Sequence, residues 1–168
     1  MLSIVTYPHP ILQQRANEVG EITKEISDLF PEMMSAMRKN EGIGLAAPQI
    51  GLSSRIIIVQ DAKTSHAFLN PEILSANREM ESEEEGCLSL PGIFLPIKRA
   101  RSVSLRCTLP SGKSVHIEAE GLLARIFQHE IDHLNGMLII HRAGLVKRWK
   151  ARKRLRELES AYKTSQHG

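Results

Sequence analysis

The chain has 168 residues, of which 42% are hydrophobic and 24% charged, and its formal net charge is +3. This is an ordinary globular composition, long enough for one domain to bury most of its chain surface. No apolar stretch approaches a membrane span, two cysteines do not make a disulfide framework, and the first eight residues lack the basic start and sustained apolar run of a signal peptide.

The elements follow in chain order. Residues 10–16 read as a short turn of helix. Residues 23–37 have helical spacing through Ile26, Leu29, Phe30, Met33, Met34 and Met37, with Pro31 expected to kink the helix. The methionines read as core rather than as a binding surface. Residues 55–59 form a buried strand, and 67–69 and 73–76 are weaker strands around Asn70-Pro71. The acidic run Glu79, Glu81, Glu83, Glu84, Glu85 reads mostly as a solvated face. Residues 102–109 and 113–119 flank Pro110-Ser111-Gly112, a hairpin signal. Residues 121–135 form a helix ending near Gly136. Strands and helices do not alternate regularly, so the fold expected is α+β, with largely antiparallel sheets packed around that helix and a C-terminal helix. Residues 1–142 are expected to form one catalytic domain, and 143–168 a basic helical tail belonging to it.

Residues 142–156 carry eight basic side chains and no acid. Leu145, Trp149, Leu155 and Leu158 recur there near helical spacing. One reading is a solvated helix packed on the domain by that stripe; the other is a nucleic-acid contact.

His129, Glu130 and His133 lie in the run HEIDH. Two histidines four apart on a helix point the same way, one turn above the other, so both rings can reach one metal ion. The glutamate between them is then a candidate acid/base rather than a ligand. A shuffle of this composition would give about 0.03 such runs, so the run stands above background. The plain alternative is an amphipathic helix with ordinary histidines. Catalytic sites of this kind take a third protein ligand and leave one position open. Downstream of the pair the chain offers His141, Glu157, Glu159 and His167; upstream it offers Cys87. A thiolate with two imidazoles suits zinc, which makes Cys87 the stronger candidate, although a free cysteine is also a common core residue. Cys107 is assigned to the core.

Three segments, Gly42-Ile43-Gly44-Leu45-Ala46-Ala47-Pro48-Gln49, Glu85-Gly86-Cys87-Leu88-Ser89 and Gln128-His129-Glu130-Ile131-Asp132-His133-Leu134-Asn135-Gly136, together resemble the peptide deformylase family in order and spacing. The similarity runs from near the N-terminus to about residue 140. The resemblance implies hydrolytic removal of the formyl group from N-formylmethionine at the start of new polypeptides. It implies Cys87, His129 and His133 as metal ligands and Glu130 as acid/base, and it places Gln49 and the Leu88 backbone N–H at the reacting carbonyl. It points to ferrous iron, with zinc, nickel or cobalt able to substitute; ligand types alone do not choose among them. Read from its residues alone, Gln49 is a polar group closing a turn before Gly51.

An extended substrate fits the remaining features. Glycines at 42 and 44 permit close approach of another backbone, and a peptide can pair there as an added strand. Ile43, Gly44, Gly86, Leu88 and Ile126 are the candidate substrate contacts, Ile126 having core packing as an equal alternative. Glu85 is expected to pair with Arg99, which resembles an ion pair in the family. A metal thiolate argues for a reducing compartment, hence the cytoplasm. Two rivals remain: a metallopeptidase taking its third ligand from downstream, and a ribosome- or RNA-binding module whose closed structural site adds Cys107 or His116. The resemblance adds ribosome docking by the basic tail as an expectation; neither DNA nor a membrane is an expected partner.

Overall fold

The computed structural model describes residues 2–166. His167, one of the downstream ligand candidates, lies outside them. A short 3-10 turn, Pro10–Gln13, precedes helix α1, Lys24–Lys39. The Thr23 hydroxyl caps α1 by accepting from the Ile26 N–H. Pro31 lies inside this helix, as its spacing predicted. Strands β1 (Gly44–Ala46), β2 (Ile56–Asp61), β3 (Thr64–Ala76), β4 (Met80–Gly86), β5 (Phe94–Ala100), β6 (Ser102–Thr108) and β7 (Ser114–Glu120) follow. Helices α2 (Gly121–Leu134), α3 (Ile139–Arg142) and α4 (Leu145–Gln166) close the chain.

All strand pairings are antiparallel. Five strands form one sheet in the order β1-β2-β3-β6-β7; β4 and β5 form a separate two-stranded sheet. The α+β expectation holds. Two expected details change. The weak strands on either side of Asn70-Pro71 are one strand, β3, whose register shifts between Leu69 and Glu72. Asn70 takes φ +48° there, and an irregularity of this kind lets a strand pass a proline that cannot donate to the ladder. The acidic run is mostly solvent-facing, as expected, but it is also a strand, β4. Glu85 is its one buried residue, the exception expected from its pairing with Arg99.

The core forms on both faces of the larger sheet. In β2, Ile57 and Val59 pack toward Phe127 and Leu134 of α2, while Ile56 and Ile58 pack toward Phe30, Met33 and Met37 of α1. Successive strand residues point to opposite faces, so a continuous apolar run is what a strand covered on both sides requires. Each of these side chains is at most 6% exposed, worth about 1.5–3 kcal/mol apiece in transfer from water. A third apolar cluster joins Leu90, Ile93, Leu95 and Ile97 to Leu138, Ile139 and Ile140, with Leu155 and Leu158 of α4 against them.

The end of α2 is fixed from three sides. Asn135 caps it, and Gly136 follows at φ +72° against the Gln13 backbone, where a Cβ would stand 2.7 Å from the Gln13 carbonyl. Buried Arg55 donates to Leu134 O and Asn135 Oδ1 at that same end, where a cation meets the helix's exposed carbonyls. The expected stripe on α4 is only half used. Leu155 and Leu158 are buried, but Leu145 and Trp149 are 85% and 61% exposed.

Candidate metal centre

Helical spacing and one sharp turn bring together three groups able to hold a metal ion. The His129 and His133 rings of α2 lie 5.0 Å apart, centroid to centroid. Strand β4 ends at Gly86, and the turn that follows is closed by the Leu90 N–H donating to Cys87 O at 2.9 Å. That turn swings Cys87 Sγ to 3.2 Å from His133 Nε2. One ligand atom from each of Cys87, His129 and His133 lies within 4.8 Å of the others. The N-terminal segment braces the surroundings: the Val5 N–H donates to Gln49 O and the Tyr7 N–H to Ser89 O.

Glu130 follows His129 and turns toward β1. It is 3% exposed, and its Oε1 sits against Gly44, where any Cβ would overlap it. Glycine at 44 therefore admits the glutamate's carboxylate, a reason the sequence did not reveal. Burial pushes the Glu130 carboxyl up to about 7. For His129, burial alone would lower the pKa, but hydrogen bonds to Cys87 and Glu85 overturn that and hold it well above the usual value. His133 is depressed by burial and by the neighbouring His129 charge. Glu85 is likewise opposed by burial, but its bonds to His129 and Arg99 hold its carboxyl far below the ordinary range.

Gln49 is buried beside the thiol. Its Oε1 accepts from the Ala46 N–H at 2.8 Å, which turns Nε2 toward Cys87 Sγ at 3.6 Å and Ser89 Oγ at 3.4 Å. Sequence alone favoured a turn-closing role; the side chain closes that turn and faces the ligands as well. Leu88 lies in the turn next to Cys87.

A cleft of about 590 Å³ opens over these groups, lined among others by Ile43, Gly44, Gly86, Leu88 and Ile126. Ile43 is 46% exposed, whereas Ile126 is 5% exposed. Ile126 packs in the core with Phe127 and also borders the cleft, so its two readings coexist. Gly86 lies under the Phe94 ring, 2.7 Å from where its Cβ would stand. A second hollow of about 450 Å³, beside residues 19–22 and 110–112, has Glu21 as its only titratable lining group.

The donor set fits a divalent transition-metal ion. A thiol and two imidazoles converge, a carboxylate stands beside them, and an open cleft leaves room for solvent. Glu130 Oε2 and His133 Nδ1 are buried with no hydrogen-bond partner. Such orphans cost about 1–3 kcal/mol each in a closed protein, which is the pattern of a site built for something else to complete it. The downstream candidates are engaged elsewhere. His141 Nδ1 accepts from the Leu138 N–H, Glu157 pairs with Arg154, and Glu159 accepts from the Tyr7 hydroxyl. Cys107 is buried in the core of the larger sheet, and neither it nor His116 joins the cluster.

The family model for polypeptide deformylase matches residues 1–149. This chain belongs to the polypeptide deformylase family. Deformylases are metal-dependent hydrolases that remove the N-formyl group from nascent peptides. The peptide deformylase of Desulforudis audaxviator is 43% identical over 151 residues, spanning 89% of this chain and 98% of that one. The Thermotoga maritima peptide deformylase crystal structure matches at TM-score 0.84 and 40% identity, covering 86% of this chain and 98% of its own. A Plasmodium falciparum peptide deformylase structure matches at TM-score 0.92 and 36% identity, covering 96% and 98%. No described helix is long and apolar enough to cross a membrane.

Several residues of this deformylase site escape a reading of the sequence. Ser89 is fully buried against Gln49, Leu122 and Phe94 line the cleft, and Arg125, Asp132 and Arg142 form buried or half-buried ion pairs beside the histidines. Arg125 and Asp132 carried a weak signal, being charged residues four before and three after His129 on a helix with a buried face. Phe94 carried none.

Proposed function

We propose that this chain hydrolyses the formyl amide of N-formylmethionine at the start of nascent polypeptides, releasing formate and a free amino terminus. The observation that carries the reading is the convergence of Cys87, His129 and His133 beside a buried carboxylate with an unpartnered oxygen, at the floor of an open cleft.

Cys87, His129 and His133 would hold the ion, the cysteine as a thiolate. A divalent ion held there would polarise a carbonyl and lower the pKa of a bound water from about 15.7 to near 7. Ferrous iron is our assignment for the resident ion, on the family resemblance, with zinc, nickel or cobalt as substitutes. Glu130 takes the proton of the attacking water and delivers it to the departing amine nitrogen as the formyl C–N bond breaks. Burial raises the affinity of this carboxylate for a proton, and positioned proton transfer contributes about 10²–10⁴-fold. Gln49 Nε2 and the Leu88 N–H donate to the formyl oxygen as it gains charge, each worth about 3–4 kcal/mol by analogy with other oxyanion donors. The substrate backbone lies along Gly44 and Gly86, with the methionine side chain against Ile43, Leu88 and Ile126.

We further assign residues 1–142 as the catalytic unit and 143–168 as a basic helical extension of the same domain, working in the cytoplasm. The exposed start of α4 supports docking on a ribosome, where formylated chains emerge. Leu145, Val146 and Trp149 are exposed among lysines and arginines, with the Arg152 guanidinium 3.7 Å from the Trp149 ring centroid.

The deciding experiment combines anaerobic metal analysis with formate release from formyl-methionyl peptides on one sample. Activity should vanish with chelator and return with ferrous iron. New internal fragments without formate would mean a peptidase instead. Docking is tested by salt-dependent co-sedimentation with ribosomes, comparing the full chain with one ending at residue 143; equal behaviour would dismiss it.

A further inference from the structure

The ion pairs around the site form one continuous chain. Glu85 receives four N–H donors: Arg99 Nε at 2.9 Å and an Arg125 terminal nitrogen at 2.7 Å on Oε1, then an Arg99 terminal nitrogen at 2.9 Å and His129 Nδ1 at 2.9 Å on Oε2. The remaining Arg99 terminal nitrogen donates to Asp132 Oδ2 at 2.5 Å. Asp132 in turn accepts both arms of Arg142, Nε on Oδ2 at 3.0 Å and a terminal nitrogen on Oδ1 at 2.6 Å. The links run from His129 through Glu85, Arg99 and Asp132 to Arg142. All are buried or nearly so except Arg142, whose side chain is 45% exposed.

This chain joins the two separate pieces of the ligand set. Glu85 lies two residues before Cys87 on β4, and Asp132 is next to His133 on α2. Arg99, on β5, is a rigid planar fork holding one carboxylate with each side. Its dimensions therefore constrain how far the cysteine loop stands from the histidine helix. The same carboxylate fixes the His129 ring. Glu85 already accepts from two guanidinium groups, so its contact with His129 is one in which Nδ1 donates, and Nε2 is the ring nitrogen left to face an ion. Arg99 is shared, and Arg125 competes for Glu85. Removing Asp132 would leave a buried guanidinium nitrogen unpaired and free the fork to rotate on Glu85. Arg142 holds Asp132 from the opposite side with two bonds.

We propose that Asp132 and Arg142 are positioning residues of the metal centre, acting through Arg99 and Glu85 to set the His129 ring and the spacing between Cys87 and the two histidines. This rests on those three residues holding a metal ion. The test uses the full chain loaded with cobalt(II), reading the visible ligand-field and thiolate charge-transfer bands, the cobalt dissociation constant by chelator competition, and kcat and KM separately on a formyl-methionyl peptide. Outer-shell partners of metal ligands typically change affinity or activity about 10–100-fold, and Asp132→Asn should fall in that range with shifted bands. The loss should appear in kcat with KM little changed. Arg142→Ala should act in the same direction and less strongly, with Arg142→Lys, which keeps the charge but not the fork, in between. Arg142 is half exposed, so its variants keep the test available if Asp132→Asn does not fold. Variants with wild-type bands and cobalt affinity, altered only in melting temperature, would overturn the proposal and leave the metal site standing. A wild-type protein that binds no cobalt would overturn both.

Discussion

Nine of the 14 residues of α2 are buried, against two of the 22 in α4. The buried residues of α2 include Arg125, Glu130, Asp132 and His133, polar groups that a core would ordinarily exclude. Arg125 and Asp132 have charged partners, Glu130 stands beside the ligand cluster with an orphaned oxygen, and His133 turns Nε2 to Cys87 Sγ at 3.2 Å. α4 carries more charge, ten Lys, Arg and Glu side chains against three Arg, Asp and Glu in α2, but nearly all of it faces solvent. The lesson is energetic. A charge kept out of water must be paired or used, so burial makes a polar residue informative, while an exposed charge is compatible with almost any role.

The largest effects that can break this contrast lie on the α2 side. Cys87→Ala should lose its metal on dialysis and its turnover with it; unchanged metal content by elemental analysis would remove the cysteine from the ligand set. Glu130→Ala should keep the metal and lose at least about 10²-fold in turnover, the low end for positioned proton transfer. Wild-type rates in that variant would remove the glutamate from the mechanism.

Next come the charges that hold the site. Glu85→Gln and Arg99→Gln should each cost about 3–5 kcal/mol, because each strands a buried partner. In a double-mutant cycle by chemical denaturation the two losses should overlap strongly. Additive losses would mean that the pair at 2.9 Å is not energetically coupled. On α4, Leu158→Ala should cost about 2 kcal/mol, the low end for a buried leucine since it is 8% exposed, with metal content intact. The smallest effect belongs to Trp149→Ala, within about 0.5 kcal/mol of wild type in stability, as for other exposed positions. A larger drop would show that the exposed start of α4 packs on something within the molecule.

Much of the fold was legible in local pattern. The apolar run 56–59, the hairpin about Pro110-Ser111-Gly112 and the helix ending at Gly136 all sit where their spacing puts them. Strand β4 was not legible, because its polar side chains are mostly exposed and Glu85 alone is buried, so no apolar alternation marks it. Strand β3 was read as two, because proline usually ends a ladder and only the pairing with β6 shows the register shift that carries it past. The stripe on α4 was overcounted, since helical spacing says which residues share a face but not how far along the helix a neighbour reaches.

Sequence by itself determined the chemistry available: two imidazoles a helical turn apart, a carboxylate beside one of them, and a thiol in a Gly-Cys turn. Tertiary structure alone decided that the thiol, 42 residues before the first histidine, meets them within 4.8 Å. It also decided that Gly44 is small to admit Glu130, and that Asp132 faces Arg99 and Arg142 rather than solvent. The physical reason is that helical periodicity is a local property of the backbone. Convergence of distant side chains depends on how the sheets and helices pack, which no short segment encodes.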